Sequence, residues 1–556
     1  MIALSSVFRL VFVCVLASLL VACGGGSDPA SSEPLPITVI PPPDVSISAN
    51  AASKFLTQTS YGPTLTDINK LSELGYEVWL NEQFTLPVSS HYDYLQGLPE
   101  ITWAEHVKTW LAMSVTSEDQ LRQRIAFALS EIWVVSHHGV DFPSKEVAAG
   151  ALTSYYDLLL HNAFGNYRNL MEELTLNPVM GEYLSMKGNQ KADLAKNILP
   201  DENYAREMMQ LFTIGLHELN MDGSQKLDTQ DLPIPTYTQD TIEEMARVFT
   251  GWHFANALSL ANGTNDVPDF ITRMAVIEDF HDRGEKTVLG GVIIPAQQSA
   301  EEDMQTILDI VFNHPNVAPF VSKQLIQKLV TSNPSSAYIE RVANVFANNG
   351  AGVRGDMQSV VAAILLDDEA LTRTTSSDKV FGKLKEPIVR MVGIWRTFNA
   401  SALSGRYSLT WFTEFMGQSP LGAHHVFNFF SPSFTPQGSF QENGWVAPEF
   451  EIHTEANMTK MINFYQRMTF SQNNIYKTNP DTDEILLNLT YEATLVSNVD
   501  ALLDHYNLLL FAGEMSNELR TITQNYISTL INDKEPGRAY EALGILVAAP
   551  EFLVQD

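Results

Sequence analysis

Ser117-Glu118-Asp119-Gln120-Leu121-Arg122-Gln123-Arg124-Ile125-Ala126-Phe127-Ala128-Leu129-Ser130-Glu131-Ile132 decides the class of fold. A serine placed to cap a helix is followed three residues on by Gln120, and Leu121, Ile125, Leu129 and Ile132 then recur at helical spacing. The stretch predicts an amphipathic helix whose apolar stripe other helices must cover.

Outward from it the same period returns. Helices are expected over Leu65 to Gln83, Trp103 to Ser114, Ser144 to Asn162 and Tyr167 to Leu176, with Pro178 in a first turn after Asn177. Asn203 to Ile214 puts Tyr204, Met208, Leu211 and Phe212 on one arc. Asn203, Glu207 and Gln210 lie side by side just off it, and Gly215 offers a stop. Thr238 to Thr250 is helical again. Further helices are expected at Met304–Phe312, Pro315–Val330, Ala337–Ala347, Asp356–Leu365 and Glu386–Phe398, then a loop-rich block from Gly417 to Pro448. Between Leu216 and Tyr237, Asn220-Met221-Asp222-Gly223-Ser224 and Pro233-Ile234-Pro235 read as a turn-rich excursion, and Val288 to Ile294 as a short strand pair. The expectation is a mainly α protein, a multi-helical bundle-like unit with a small β-hairpin excursion.

The N-terminus carries a different signal. Arg9 is the one charge before an apolar stretch from Leu10 to Leu20, too short to span a bilayer comfortably, and the run ends Leu20-Val21-Ala22-Cys23-Gly24. Residues 1–22 therefore read as a lipoprotein signal peptide and Cys23 as the acylated first residue of the mature chain. Buried acyl methylenes, at about 0.8 kcal/mol each, would hold the protein at a membrane. Gly24 after the cysteine resembles the outer-membrane sorting pattern, facing periplasm or cell exterior. No later segment is long and apolar enough to span. Residues 23–45, rich in Gly, Ser and Pro, read as a flexible tether. Residues 46–556 then form the mostly helical domain, with a division into two lobes near Ile294 left open. Cys14 falls in the signal and Cys23 at the anchor, so the mature domain keeps no thiol for disulfides or thiolate zinc sites.

The formal charge is −31, and −32 without Arg9. Such acidity argues against nucleic acid or anionic lipid headgroups as a main partner.

Asp201-Glu202-Asn203-Tyr204-Ala205-Arg206-Glu207-Met208-Met209-Gln210-Leu211-Phe212-Thr213-Ile214-Gly215 resembles the hallmark of the bacterial domain-of-unknown-function family 1800. Tyr237-Thr238, Ala246-Arg247, Thr250-Gly251-Trp252 and Phe280-His281-Asp282 follow in that family's order. Tyr61-Gly62-Pro63-Thr64, Lys385-Glu386-Pro387, Met416-Gly417-Gln418-Ser419-Pro420 and Ala548-Ala549-Pro550-Glu551-Phe552 extend the match across nearly the whole mature chain. One departure stands out: Ala423-His424-His425-Val426-Phe427-Asn428-Phe429-Phe430-Ser431-Pro432 replaces a Pro-Pro-Asn-Val and Gly-Trp pattern, and implies a different pocket or loop. The resemblance implies an exported, mainly helical protein, often encoded beside a sulfatase-like or phosphatase-like exported family. It brings no catalytic residues with it.

Candidate chemistry is therefore read from residue types. Glu207, His281 and Asp282 are the candidate catalytic groups; Asn203, Arg206, Arg247 and Trp252 are candidate ligand-binding groups. A carboxyl beside an apolar stripe can act as a proton donor, with Asp282 or Glu243 completing a pair. The plainer reading has Asn203 capping its helix and Arg206 and Glu207 in ion pairs that lock helices. No His-Glu-x-x-His spacing occurs, so no metal is assigned. Asn220, Asp222, Asp228 and Asp231 could wrap calcium, but the glycine offset is wrong for an EF-hand. Two functions remain: a binding or scaffold partner of another exported protein, or a hydrolase or lyase acting on an extracellular polysaccharide or related polymer.

Overall fold

The helix Gln120–Ser130 is buried on every side, Arg122, Gln123 and Arg124 included, where the sequence led us to expect one apolar stripe. The helices Ala49–Thr59, Tyr76–Thr85, Glu105–Thr116, Lys145–Asn162 and Val317–Leu329 pack against it. Its polar side chains survive burial because they are hydrogen-bonded: Gln123 reaches His91 and the Ser89 carbonyl, and Arg122 the Leu160 carbonyl. Ser117 does not cap this helix. It closes the preceding one instead, donating from both N–H and Oγ to the Met113 carbonyl.

The computed structural model describes residues 46–263, 266–374, 378–409, 416–472, 482–530 and 535–555. The expected signal peptide, Cys23 and the tether lie outside the described residues. From Ser46 onward the described chain clusters as one unit of helices. Three two-stranded antiparallel ribbons accompany them: Trp252–His253 with Ala275–Val276, Lys286–Thr287 with Ile293–Ile294, and Lys383–Leu384 with Val554–Gln555. The second is the expected strand pair, begun two residues earlier. The third fastens the C-terminal residues to the middle of the chain. Among the described residues no helix is long and apolar enough to cross a membrane.

Local chemistry sets the element ends. Ser144, Asn177 and Thr238 cap the helices Lys145–Asn162, Pro178–Tyr183 and Gln239–Val248 with side-chain oxygens. Gly75, at φ +78°, splits the expected Leu65–Gln83 helix into Leu65–Leu74 and Tyr76–Thr85. Two glycines let the bend at residues 60–62 lie against the helix Pro387–Thr397. A Cβ on Gly62 would lie 2.9 Å from the Gly393 backbone, and one on Gly393 would lie 2.7 Å from the Tyr61 carbonyl.

The hallmark segment is not one α-helix. Asn203–Glu207 is α-helical, and Met208–Thr213 widens into a π turn, with the Ile214 N–H donating to the Met209 carbonyl five residues back. Asn203 and Glu207 keep their α-helical spacing ahead of the turn, with Asn203 exposed, Glu207 buried and Gln210, inside the turn, half-buried. π turns recur at functional sites because the extra residue redirects side chains.

Candidate functional site

The sequence candidates separate into two groups. Arg247 grips Asp282 with two bonds, Nε to Oδ2 at 2.9 Å and Nη2 to Oδ1 at 3.1 Å, and reaches Glu244 at 2.7 Å. Next along the chain His281 is fully buried. Its Nδ1–H donates to the Thr250 carbonyl at 2.9 Å and Nε2 lies 3.2 Å from Asp303, which also takes the buried Lys286 ammonium at 2.7 Å. Trp252 is buried in its ribbon, holding Gly188 through the backbone. Arg247, Asp282, His281, Lys286 and Asp303 form a paired network that anchors the stretch 281–303 to the helix Gln239–Val248, while the buried Trp252 indole N–H finds no hydrogen-bond partner among the described residues.

Glu207 belongs elsewhere. It is 6% exposed, and its Oε2 finds no hydrogen-bond partner among the described residues; the nearby Tyr237 hydroxyl is likewise unmatched. Burial raises the Glu207 carboxyl above its ordinary range, against the pull of Arg206. Tyr183 and Tyr237 are each pushed up to about 12, by burial first and then by the Glu207 charge, which places both phenols around this acid. Arg206 pairs outward with Glu202 at 2.8 Å and with Gln239. The Asn203 N–H is taken by Asp201, so the cap sits two residues earlier than expected.

A second centre lies under the segment Gly417–Ser433, the stretch containing the departure from the family pattern. Beneath it is a buried cluster of charge. Lys328 stands 3.4 Å from Glu131, Lys383 3.0 Å from Glu449 and 3.7 Å from Glu386, and Arg124 donates to the Lys328 carbonyl at 2.7 Å. The segment plugs into this cluster. Gln418 donates to Glu386 at 2.6 Å, Asn428 to Glu131 at 3.3 Å, and Lys328 sits over the Phe430 ring. Burial, then the Glu386 charge, pushes Glu131 up to about 8 against Lys328. Burial also opposes ionisation of Glu386, but Lys383, Arg124 and Lys328 hold it below the usual carboxylate range. The two acids are thereby separated into a proton-holding and a charged member. Sequence reading did not single out Glu131, Lys328 or Lys383. Lys328 lies in the helix Val317–Leu329, Glu131 at the C-cap of Gln120–Ser130, Lys383 in the third ribbon and Glu449 in a 3-10 turn, so no shared local pattern marks them.

The segment's outer side shapes a groove of about 560 Å³ between the π turn, the helix Val317–Leu329 and Phe427. Leu211, Ile214, Phe320 and Val446 give it an apolar wall, with Gln210, Gln324 and Lys323 among its polar groups. Phe427 and Leu216 are about half exposed, at 52% and 50%. Leu421 and Asn428 hold positive φ, 49° and 65°, and so fix the segment's bends. Of the calcium candidates, Asp222 accepts from Ser224, and Asp228 from Gln230 and Leu232.

With this arrangement in view, the family can be stated. Residues 54–554 match the model of a protein family of unknown function, DUF1800. The chain belongs to that family, and the match takes in both centres. No curated protein and no solved structure matches it.

Proposed function

We propose that this protein is a lipid-anchored exported protein that binds another exported protein through the groove beside Phe427. The observation that carries the reading is the groove itself. A half-exposed phenylalanine and an apolar wall formed by Leu211, Ile214 and Phe320 offer a pocket for a large apolar side chain. The charge of −31 favours a partner segment with basic residues around that anchor. A sulfatase-like or phosphatase-like exported protein is the first partner to try. Acylation at Cys23 would hold the complex at the outer membrane.

Cross-linking in intact envelopes tests this. The full chain should capture one specific partner, and Phe427→Asp should lose it while the protein stays at the membrane. Capture that Phe427→Asp leaves intact would reject the groove as the docking site.

A second reading draws on Glu207. A buried carboxyl with one free oxygen and two phenols beside it has the character of a proton donor, as hydrolysis of an extracellular polysaccharide would require. His281 and Asp282 are engaged with Asp303 and Arg247 and would not be its partners. Hydrolysis that Glu207→Gln abolishes, with no change in stability, is the outcome that would favour this reading over docking.

A further inference from the structure

We propose that His106, His137, His138 and His424 form a binding site for one transition-metal ion of the zinc type, assembled from three separate parts of the chain. His106 comes from the helix Glu105–Thr116, His137 and His138 from the single turn His137–Gly139, and His424 from the segment over the buried charges. Their ring centres follow one another at 5.2 Å (His106 to His137), 4.0 Å (His137 to His138) and 5.1 Å (His138 to His424). Two imidazoles bound to one zinc, each with its nitrogen at about 2.0–2.1 Å, have ring centres roughly 5 Å apart. Two of the three spacings match that value, and His137 and His138 stand closer.

The inner pair is prepared for the role. His137 Nδ1–H donates to the Leu421 carbonyl at 2.9 Å, which fixes the tautomer and leaves the Nε2 lone pair free. A backbone carbonyl in this position is the usual support for a metal-binding histidine. His106 is buried, and its Nε2 has no hydrogen-bond partner among the described residues. An unmatched buried imidazole nitrogen costs free energy unless something accepts its lone pair. The charged groups acting on His106, His137 and His138 are other histidines, with no carboxylate among them. An all-imidazole set suits zinc, copper or nickel and not calcium or magnesium.

As they stand, no three metal-capable side chains among the described residues close on a common point. Closure falls to the two exposed rings, His138 and His424, which turn about their side-chain bonds on the fast timescale of surface residues. Binding would join the segment Gly417–Ser433 to the helix Glu105–Thr116. The inference does not depend on the groove being a docking site.

The test is a zinc titration of the full chain in detergent against a chromophoric chelator, repeated with cobalt to read its visible tetrahedral absorption. One equivalent should bind. His138→Ala/His424→Ala removes two exposed ligands and should weaken binding by more than roughly 100-fold, the upper range for losing a mere supporting group. His137→Gln should weaken it too, and His425→Ala, on the neighbouring ring, should leave it unchanged. Absence of one-to-one binding, equal binding by the double variant, or an equal loss in His425→Ala would each overturn the proposal.

Discussion

Asn428 Nδ2 donates to Glu131 Oε1 at 3.3 Å although 297 residues separate the two. The bond joins the segment that departs from the family pattern to the end of the central helix. Both partners are buried, so losing it leaves an acceptor dry.

Asn428 has φ +65°, which alanine would resent for backbone reasons alone. Asn428→Gly removes the side chain while tolerating that φ. It should lower unfolding free energy by about 1–2 kcal/mol in urea titration, with faster proteolysis inside residues 417–433. A variant as stable as the parent would show the bond contributes nothing.

Glu131 holds its proton in the folded protein up to about pH 8, while in the unfolded chain it ionises near the ordinary carboxylate value. Between those limits the folded state binds more protons, so stability from this group falls as pH rises from about 4.5 to 8 and is level above. The change is on the order of a few kcal/mol. Glu131→Gln should flatten that part of the stability profile and make the variant the more stable protein at pH 9. An unchanged slope would assign it to other groups.

Asp303 pairs with two buried partners, His281 and Lys286. Asp303→Ala strands the Lys286 ammonium and should cost about 3–5 kcal/mol. Asp282→Ala breaks a partly exposed pair with Arg247 and should cost about 1 kcal/mol, after allowing for solvent screening. Equal losses, read by thermal unfolding, would contradict the placement of the two acids.

Gly393 lies within the helix Pro387–Thr397, where alanine normally stabilises by up to about 1 kcal/mol. Here the added Cβ meets the Tyr61 carbonyl at 2.7 Å. Gly393→Ala should destabilise by about 1–3 kcal/mol, the sign reversed by overpacking. A raised melting temperature would mean the two backbones can separate without loss.

The helical class and most helix positions were legible because apolar spacing and capping residues are local properties. The helices expected to start at Ser144, after Asn177 and at Thr238 do begin there, with those residues as their caps. The segment 208–213 was misjudged because a π turn changes no residue preference, only the period. Arg247 and Asp282 were expected to work with Glu207; instead they hold one another, a pairing across 35 residues that spacing does not encode. Glu131 and Lys383 went unnoticed for a related reason. Each looks like an ordinary surface charge until the fold brings 251 intervening residues round to enclose both.

The π turn at Met208–Thr213 carries a consequence for how this family changes over time. Such a turn holds one residue more than the α turn it replaces, so it behaves as an insertion retained inside a helix. The extra residue is taken up within the turn, so deleting one there would return the segment to α-helix with the flanking turn in its old phase. Glu207 would keep its place, while Leu211, inside the turn, would shift in the groove wall. Relatives that conserve every side chain but differ by one residue in this stretch should therefore have diverged in what they bind.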